Sequence, residues 1–290
     1  GFGWMAEHHP EKLAAPYAVN EGGGVPISAA GNLTDLLGIG ETGRPQLEIE
    51  VRGSSAHAST PWQGSNALFG LSEVVKRIEA YEAERDTSTS LFEHLSTFAI
   101  EDKPSSANID QIIAENEESQ PRFASIMKAL SRMTITPTMI NGGIKSNSVP
   151  ESVRLTCDIR TLPHQDEAYV RKELDKILDG IDGVTIDIDY MSIPNASDFE
   201  TEFAHRIQIS TAHALQRDDI QWVPSLSTGF TDSRFTRNLG TTTYGMVGSH
   251  PDDDPMISII HGTNESVGIR SLISGTRIML ALAYDLLAVK

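Results

Sequence analysis

Four runs with a strand's period, separated by segments with a helix's period, constrain this chain more than any other feature. QLEIEVRG (46–53) sets Leu47, Ile49 and Val51 against Glu48, Glu50 and Arg52. That alternation marks a strand with one buried face. SNALFGLSEVVKRIEAY (65–81) then reads as an amphipathic helix, with Ser65 or Asn66 placed to cap it. RMTITPTMI (132–140) and SVRLTCDIRTL (152–162) read as two strands joined through NGGIKSNSVPE. DEAYVRKELDKIL (166–178) returns to the helical period, and VTIDIDYMS (184–192) to the strand period. Residues 85–120 are polar and mixed, with a Pro-Ser-Ser break at 104–106, and read as an insertion carrying one or two helices. From 46 to 192 the order is strand, helix, insertion, strand, strand, helix, strand. This is the split β-α-β pattern of a ferredoxin-like α+β sandwich.

The flanks differ. Residues 2–13 predict a helix broken near Pro10, and Tyr17–Val19 a short strand before three glycines. EFAHRIQISTAHAL (202–215) predicts a helix, TTTYGM (241–246) a strand, and residues 267–287 a long C-terminal helix. Alternating helices and short apolar strands indicate an α/β layer domain. The simplest organisation joins residues 1–45 and 193–290 in that domain and inserts 46–192 between them.

With 290 residues the chain can bury a full core, and no apolar stretch approaches the roughly 20 residues of a membrane span. A net charge of -17 argues against nucleic acid or an anionic membrane as partner. Cys157 is the only cysteine, so no disulfide forms within the chain. That fits a reducing compartment, and a cytoplasmic location is the expectation. The opening GFGWMAEHHPEKL lacks the basic start and apolar run of a signal peptide, and reads as the middle of a protein.

Several short stretches could carry chemistry. YAVNEGGGVP (17–26) puts Glu21 at the tip of a core strand, where a carboxylate usually caps a turn or faces water. HGTNES (261–266) puts His261 just before the C-terminal helix, where α/β sheets hold ligands. GSSAHASTPWQGSNA (53–67) holds His57 among small residues, a loop histidine on local grounds. Asn147 precedes a Pro-containing turn, and Arg160 follows Asp158 at a same-face spacing, so a structural ion pair rivals a ligand role. STGFTDSRF (227–235) forms a Ser/Thr/Gly turn whose N–H groups and hydroxyls suit a carboxylate. No nucleophile elbow, P-loop, G-x-G-x-x-G between a predicted strand and a predicted helix, H-E-x-x-H or C-x-x-C is present.

Taken in order, YAVNEGGG, GSSAHASTPWQGSNA, NSVPESVRLTCDIRTLP, TGFTDSRF with YGM, and HGTNES resemble the co-catalytic dinuclear zinc hydrolases. That family includes aminoacylases, acetylornithine deacetylase, succinyl-diaminopimelate desuccinylase and glutamate carboxypeptidases. The resemblance runs nearly end to end. It implies a zinc-peptidase-like three-layer catalytic domain, present in part, with an inserted ferredoxin-like lid that forms a homodimer. It implies Glu21 as a ligand of one zinc and His261 as a ligand of the other. His57 matches the lid histidine that reaches the partner subunit's site and stabilises the oxyanion. Asn147 and Arg160 match lid groups that bind the substrate's carbonyl and carboxylate. Thr231 and the Gly229 turn match the loop receiving the substrate's carboxylate end, with Arg234 a further candidate.

The implied reaction is metal-assisted hydrolysis of the amide bond in an N-acyl amino acid or small peptide. The implied cofactor is two Zn2+ per complete subunit, with Co2+ or Mn2+ as alternatives. The family's H-x-D segment and E-E pair, which precede the YAVNEGGG-like stretch and supply further ligands and the general base, do not occur ahead of it in this sequence. One protein ligand per zinc remains, against about three for catalytic zinc. The expectation is a C-terminal portion of a hydrolase, inactive by itself. The alternative is a silent homologue or fragment serving as a dimerisation module.

Overall fold

The computed structural model describes residues 1–29, 31–253 and 262–288, which divide into two compact units. The first comprises residues 1–42, 85–131 and 195 onward; the second comprises 43–84 and 132–194.

In the first unit a mixed sheet is built around β3 (Asn32–Glu41), which is buried at every position after its first residue. The path runs β1 (Tyr17–Asn20), β10 (Thr242–Gly245), β3, β2 (Val25–Ala29). β8 (Asn195–Ala196) and β9 (Ile220–Ser227) also pair with β3. β1 runs parallel to β10 and β9 parallel to β3; the other pairings are antiparallel. α6 (Glu202–Leu215) and α8 (Ile269–Leu287) pack against each other. The first is capped by Thr201, whose hydroxyl accepts from the Ala204 N–H. α8 buries Ser274, Gly275, Ile278 and Leu282, while Ile269, Leu272, Ile273, Leu280, Tyr284 and Leu287 on its outer side are exposed.

β2, β3 and β9 are not legible in the sequence pattern, for two physical reasons. A strand buried on both faces shows no alternation, and Gly38 and Gly40 interrupt the apolar run of β3. β9 carries Pro224 in mid-strand, which is tolerated because β9 pairs with β3 alone among the described strands.

The segment from 85 to 131 departs from the expectation that it belongs to the lid. It forms a 3-10 stretch (Ser90–Phe98), α3 (Ile109–Glu117) and α4 (Pro121–Leu130). Leu91, Phe92, Leu95, Phe98, Ile109, Ile112, Phe123, Met127 and Leu130 join the core of Leu36, Leu37, Val223 and Leu226 in the first unit. Each such side chain contributes about 1.5–3 kcal/mol by leaving water, which decides where the segment docks.

The second unit is the β-α-β-β-α-β sandwich. Its elements are β4 (Arg44–Arg52), α2 (Ala67–Glu79), β5 (Thr134–Gly142), β6 (Ser152–Arg160), α5 (Glu167–Leu178) and β7 (Val184–Ser192). The antiparallel sheet runs β5-β6-β4-β7. Leu47 lies between Cys157 and Ile188, Ile49 between Leu155 and Ile186, and Val51 between Val153 and Val184. A slip of one residue would turn this apolar set to solvent, so the alternation fixes the register. α2, capped by Asn66 through the Leu68 N–H, buries Ala67, Leu71, Val74 and Ile78. α5, capped by Asp166 through the Tyr169 N–H, buries Val170, Leu174 and Ile177. Cys157 belongs to this core, and burial pushes its thiol up to about 12, out of reach of thiolate chemistry.

Candidate active site

In the first unit Glu21 follows β1 directly and is exposed. The chain then turns through Gly22, whose φ of +96° is the left-handed region. A Cβ on Gly23 would collide with the Gly245 carbonyl and the Gly38 nitrogen, so the turn lies flat against β10 and β3. The glycines thus leave the Glu21 carboxylate at an uncrowded strand tip. Among the described residues it has no hydrogen-bond or ion-pair partner.

Beside this turn lies the loop that follows β9, since a Cβ on Gly22 would meet the Ser227 side chain at 3.2 Å and Thr231 at 3.6 Å. The loop is tied down at both ends. Thr42 donates its N–H to the Ser227 carbonyl (3.0 Å) and its hydroxyl to the Thr228 carbonyl (3.2 Å). Gly229 donates its N–H to the Ser227 hydroxyl at 3.2 Å. Thr231 is 7% exposed, and its hydroxyl hydrogen-bonds Glu41 and Ser233 instead of facing solvent. Arg234 donates to the Thr231 carbonyl at 2.6 Å, and its guanidinium lies over Phe230 (4.7 Å) and Phe235 (4.3 Å). These contacts occupy the cation, so it fastens the loop. The structure therefore brings Glu21, Gly229 and Thr231 into one neighbourhood. Expected ligand His261 lies outside the described residues.

In the second unit His57 and Asn147 sit on adjoining loops. Ala58 donates its N–H to the Asn147 carbonyl (3.0 Å), and Val149 to the Ala56 carbonyl (2.9 Å). His57 bridges to Ser148, and both His57 and Asn147 are exposed. The Ser59 backbone N–H lies 3.2 Å from His57 Nδ1 and can only donate. Nδ1 is therefore the acceptor, and the ring proton of the neutral imidazole sits on Nε2.

Arg160 lies elsewhere in this unit. At about 3.3 Å per residue, the far end of β6 is roughly 26 Å from the Ser152 end that adjoins Asn147. Arg160 Nε donates to Asp158 Oδ1 (2.6 Å) and its NH2 group to Oδ2 (3.2 Å), while Arg44 Nε donates to Oδ2 at 2.8 Å. Burial pushes the Asp158 carboxyl up, but the two guanidiniums together outweigh it and hold it below its ordinary value. The ion pair that rivals a ligand role in the sequence is thus formed.

Two further groups carry no motif. Glu41, at the end of β3, is 2% exposed and lies 3.7 Å from Arg237. Asp35, in mid-β3, is fully buried with Oδ1 unpartnered, and burial pushes its carboxyl up to about 7. Acidic residues inside apolar runs were the available signal for both.

Among the described residues no three His, Cys, Asp or Glu side chains converge closely enough to hold a metal ion. Glu21 offers one carboxylate, against the three protein ligands typical of catalytic zinc. The described donor set by itself does not fit a zinc pair. Among the described residues no helix is long and apolar enough to cross a membrane.

Residues 39–184 match the family model of the peptidase dimerisation domain of M20 enzymes. A probable succinyl-diaminopimelate desuccinylase of Staphylococcus aureus is 24% identical over 180 residues, covering 61% of this chain and 42% of the relative. Carboxypeptidase S of Saccharomyces cerevisiae is 22% identical over 290 residues, covering 84% of this chain and 48% of the relative. The chain thus spans under half the length of these curated relatives. Among solved structures, an M20 family metallo-carboxypeptidase from Sulfolobus solfataricus superposes with a TM-score of 0.65 at 16% identity, covering 97% of this chain and 65% of that one. The di-peptidase Dug1p of Saccharomyces cerevisiae gives 0.61 at 12% identity, covering 96% and 60%. These two show a shared fold, and the matched domain spans half of the sequence. The chain belongs to the M20 peptidase family.

Proposed function

We propose that the protein carrying this sequence is a metal-dependent hydrolase that cleaves the amide bond of an N-acyl amino acid or small peptide with a free carboxylate. The observation that carries the reading is the Glu21 carboxylate, unpartnered among the described residues, on a glycine-backed strand tip beside the 227–233 loop. Such a carboxylate suits one position in a metal's coordination shell; the remaining donors would come from residues beyond those described, His261 among them. His57 contributes an exposed Nε2–H, the donor that an oxyanion needs. Asn147 serves the same end of the second unit, and Arg160, oriented by Asp158, is the cation for a substrate carboxylate.

The first unit is the catalytic part in this reading and the second the lid and dimerisation part. Their shared names among relatives support it: carboxypeptidase, dipeptidase and desuccinylase all denote cleavage beside an amino acid. The partner would be a second copy. The separation of His57 and Asn147 from Arg160 along one lid favours that arrangement, since the two ends could serve two different sites. β4 is internal to its sheet and has no free edge. The outer side of α2, where Leu68, Phe69 and Val75 are exposed, and the edge strand β5 are the interface instead. A cytoplasmic location completes the reading, supported by one buried, unpaired cysteine.

The test is zinc per chain, by elemental analysis on protein of verified intact mass, compared with Glu21→Ala. The reading expects near two ions per complete subunit and a loss of about one in the variant. Zinc-free protein that stays folded and dimeric would favour a silent dimerisation module.

A further inference from the structure

The chain of polar groups behind the strand tip is continuous and directional. Asn20, the residue before Glu21, donates its side-chain N–H to Ser233 Oγ at 3.1 Å. Ser233 Oγ and Thr231 Oγ1 are 2.8 Å apart, and Thr231 Oγ1 in turn contacts Glu41 Oε1. One hydroxyl carries one proton, and a carboxylate only accepts. Thr231 therefore gives its proton to Glu41, and its oxygen accepts from the Ser233 backbone N–H at 3.0 Å and from the Asn20 side-chain N–H at 3.4 Å. The order Asn20, Thr231, Glu41 has each donor pointing the same way, an arrangement in which each bond polarises the next.

Glu41 anchors the far end. Its carboxylate faces Arg237, which is itself held by Asn195 (2.8 Å) and by the Thr243 carbonyl (3.0 and 3.2 Å). Arg237 and Glu41 are 6% and 2% exposed by side chain. A buried ion pair of this kind adds little to stability against an apolar substitute, and its consequence lies in what it orients. Two segments end on it: the 227–233 loop through Thr231, and the strand tip through Asn20.

We propose that Glu41 is a positioning residue: its carboxylate, facing Arg237, takes the Thr231 hydroxyl proton and so turns the Thr231 oxygen to accept from Asn20 and from the Ser233 N–H. It thereby fixes the Glu21 tip and the 227–233 loop relative to each other. The value of that fixed spacing for substrate rests on the amide-hydrolase reading; the spacing itself does not.

The test is hydrogen–deuterium exchange with mass-spectrometric readout on the full chain, for wild type, Glu41→Gln and Asn20→Ala. Glu41→Gln removes the charge that faces Arg237 and leaves Thr231 a neutral, weaker acceptor, so the chain loses its charged terminus. Amides of 20–24 and 228–233 should exchange about tenfold faster in Glu41→Gln, with β6 unchanged. Asn20→Ala, at the more exposed end, should loosen 20–24 while leaving residues 40–42 protected. If both segments keep wild-type exchange in Glu41→Gln, or if exchange rises uniformly over both units, Glu41 positions nothing and the proposal fails. None of this requires metal or turnover. A protein that never hydrolyses an amide but shows the local loosening would sink the functional reading and leave the positioning role standing. If turnover is found, a raised KM at nearly constant kcat in Glu41→Gln, restored in part by Glu41→Asp, is the matching kinetic signature.

Discussion

The backbone N–H of Ser59 donates to His57 Nδ1 at 3.2 Å, and this one contact decides which face of the ring can act on a substrate. With Nδ1 accepting, Nε2 carries the ring proton of the neutral imidazole. Nitrogen-15 spectra of the neutral ring should show Nδ1 without a proton and Nε2 with one. His57→Ala should leave thermal stability unchanged, because the side chain is exposed. It should lower kcat by about 100- to 1000-fold, the range for losing one oxyanion donor. A variant with full activity would remove His57 from the reaction.

Asp35 makes stability depend on pH in an uncommon direction. Burial raises its carboxyl from 3.8 to about 7, so between those values the folded state binds more proton than the unfolded one. The contribution is fully present below about 4 and is lost as pH rises toward 7. Urea unfolding should show that fall, at no more than about 1.4 kcal/mol per pH unit. Asp35→Asn should flatten it and gain on wild type as pH rises.

Asp158 works in the opposite sense. The Arg160 and Arg44 guanidiniums hold its carboxyl below its ordinary value against the opposing effect of burial. Stability from this pairing is present above the unfolded value and disappears as pH falls through the folded one. Asp158→Asn should cost about 1 kcal/mol or less at pH 7, since all three groups are partly exposed. It should also remove part of the acid lability of the second unit, read by exchange within β6.

On the proposed reading, association through the second unit should depend on the outer side of α2, where Phe69 is 77% exposed. Phe69→Glu should convert a dimer to a monomer in light scattering after gel filtration, with the unfolding temperature of the monomer unaltered. Retained dimer mass would move the interface away from this helix.

Much of the sandwich was legible because its apolar residues alternate: Leu47, Ile49 and Val51 each meet apolar partners in the register that the pattern demands. β3 was not, because a strand buried on both faces loses the period that identifies it. The docking of residues 85–131 was not either, since Phe98 and Phe123 announce a core without saying which one. Of the candidate site, Glu21 and its glycines, the Gly229 loop and His57 were visible as motifs. Glu41 and Arg237 were hidden, because a buried pair 196 positions apart in sequence leaves no local signature.

The most direct test of the hydrolase reading is turnover. The protein carrying this sequence, at verified mass and loaded with zinc, should be offered a panel of N-acyl amino acids and dipeptides. The account predicts release of a free amino acid from at least one substrate, abolished by chelation and restored by zinc. Folded, metal-replete protein that cleaves none of them would contradict it.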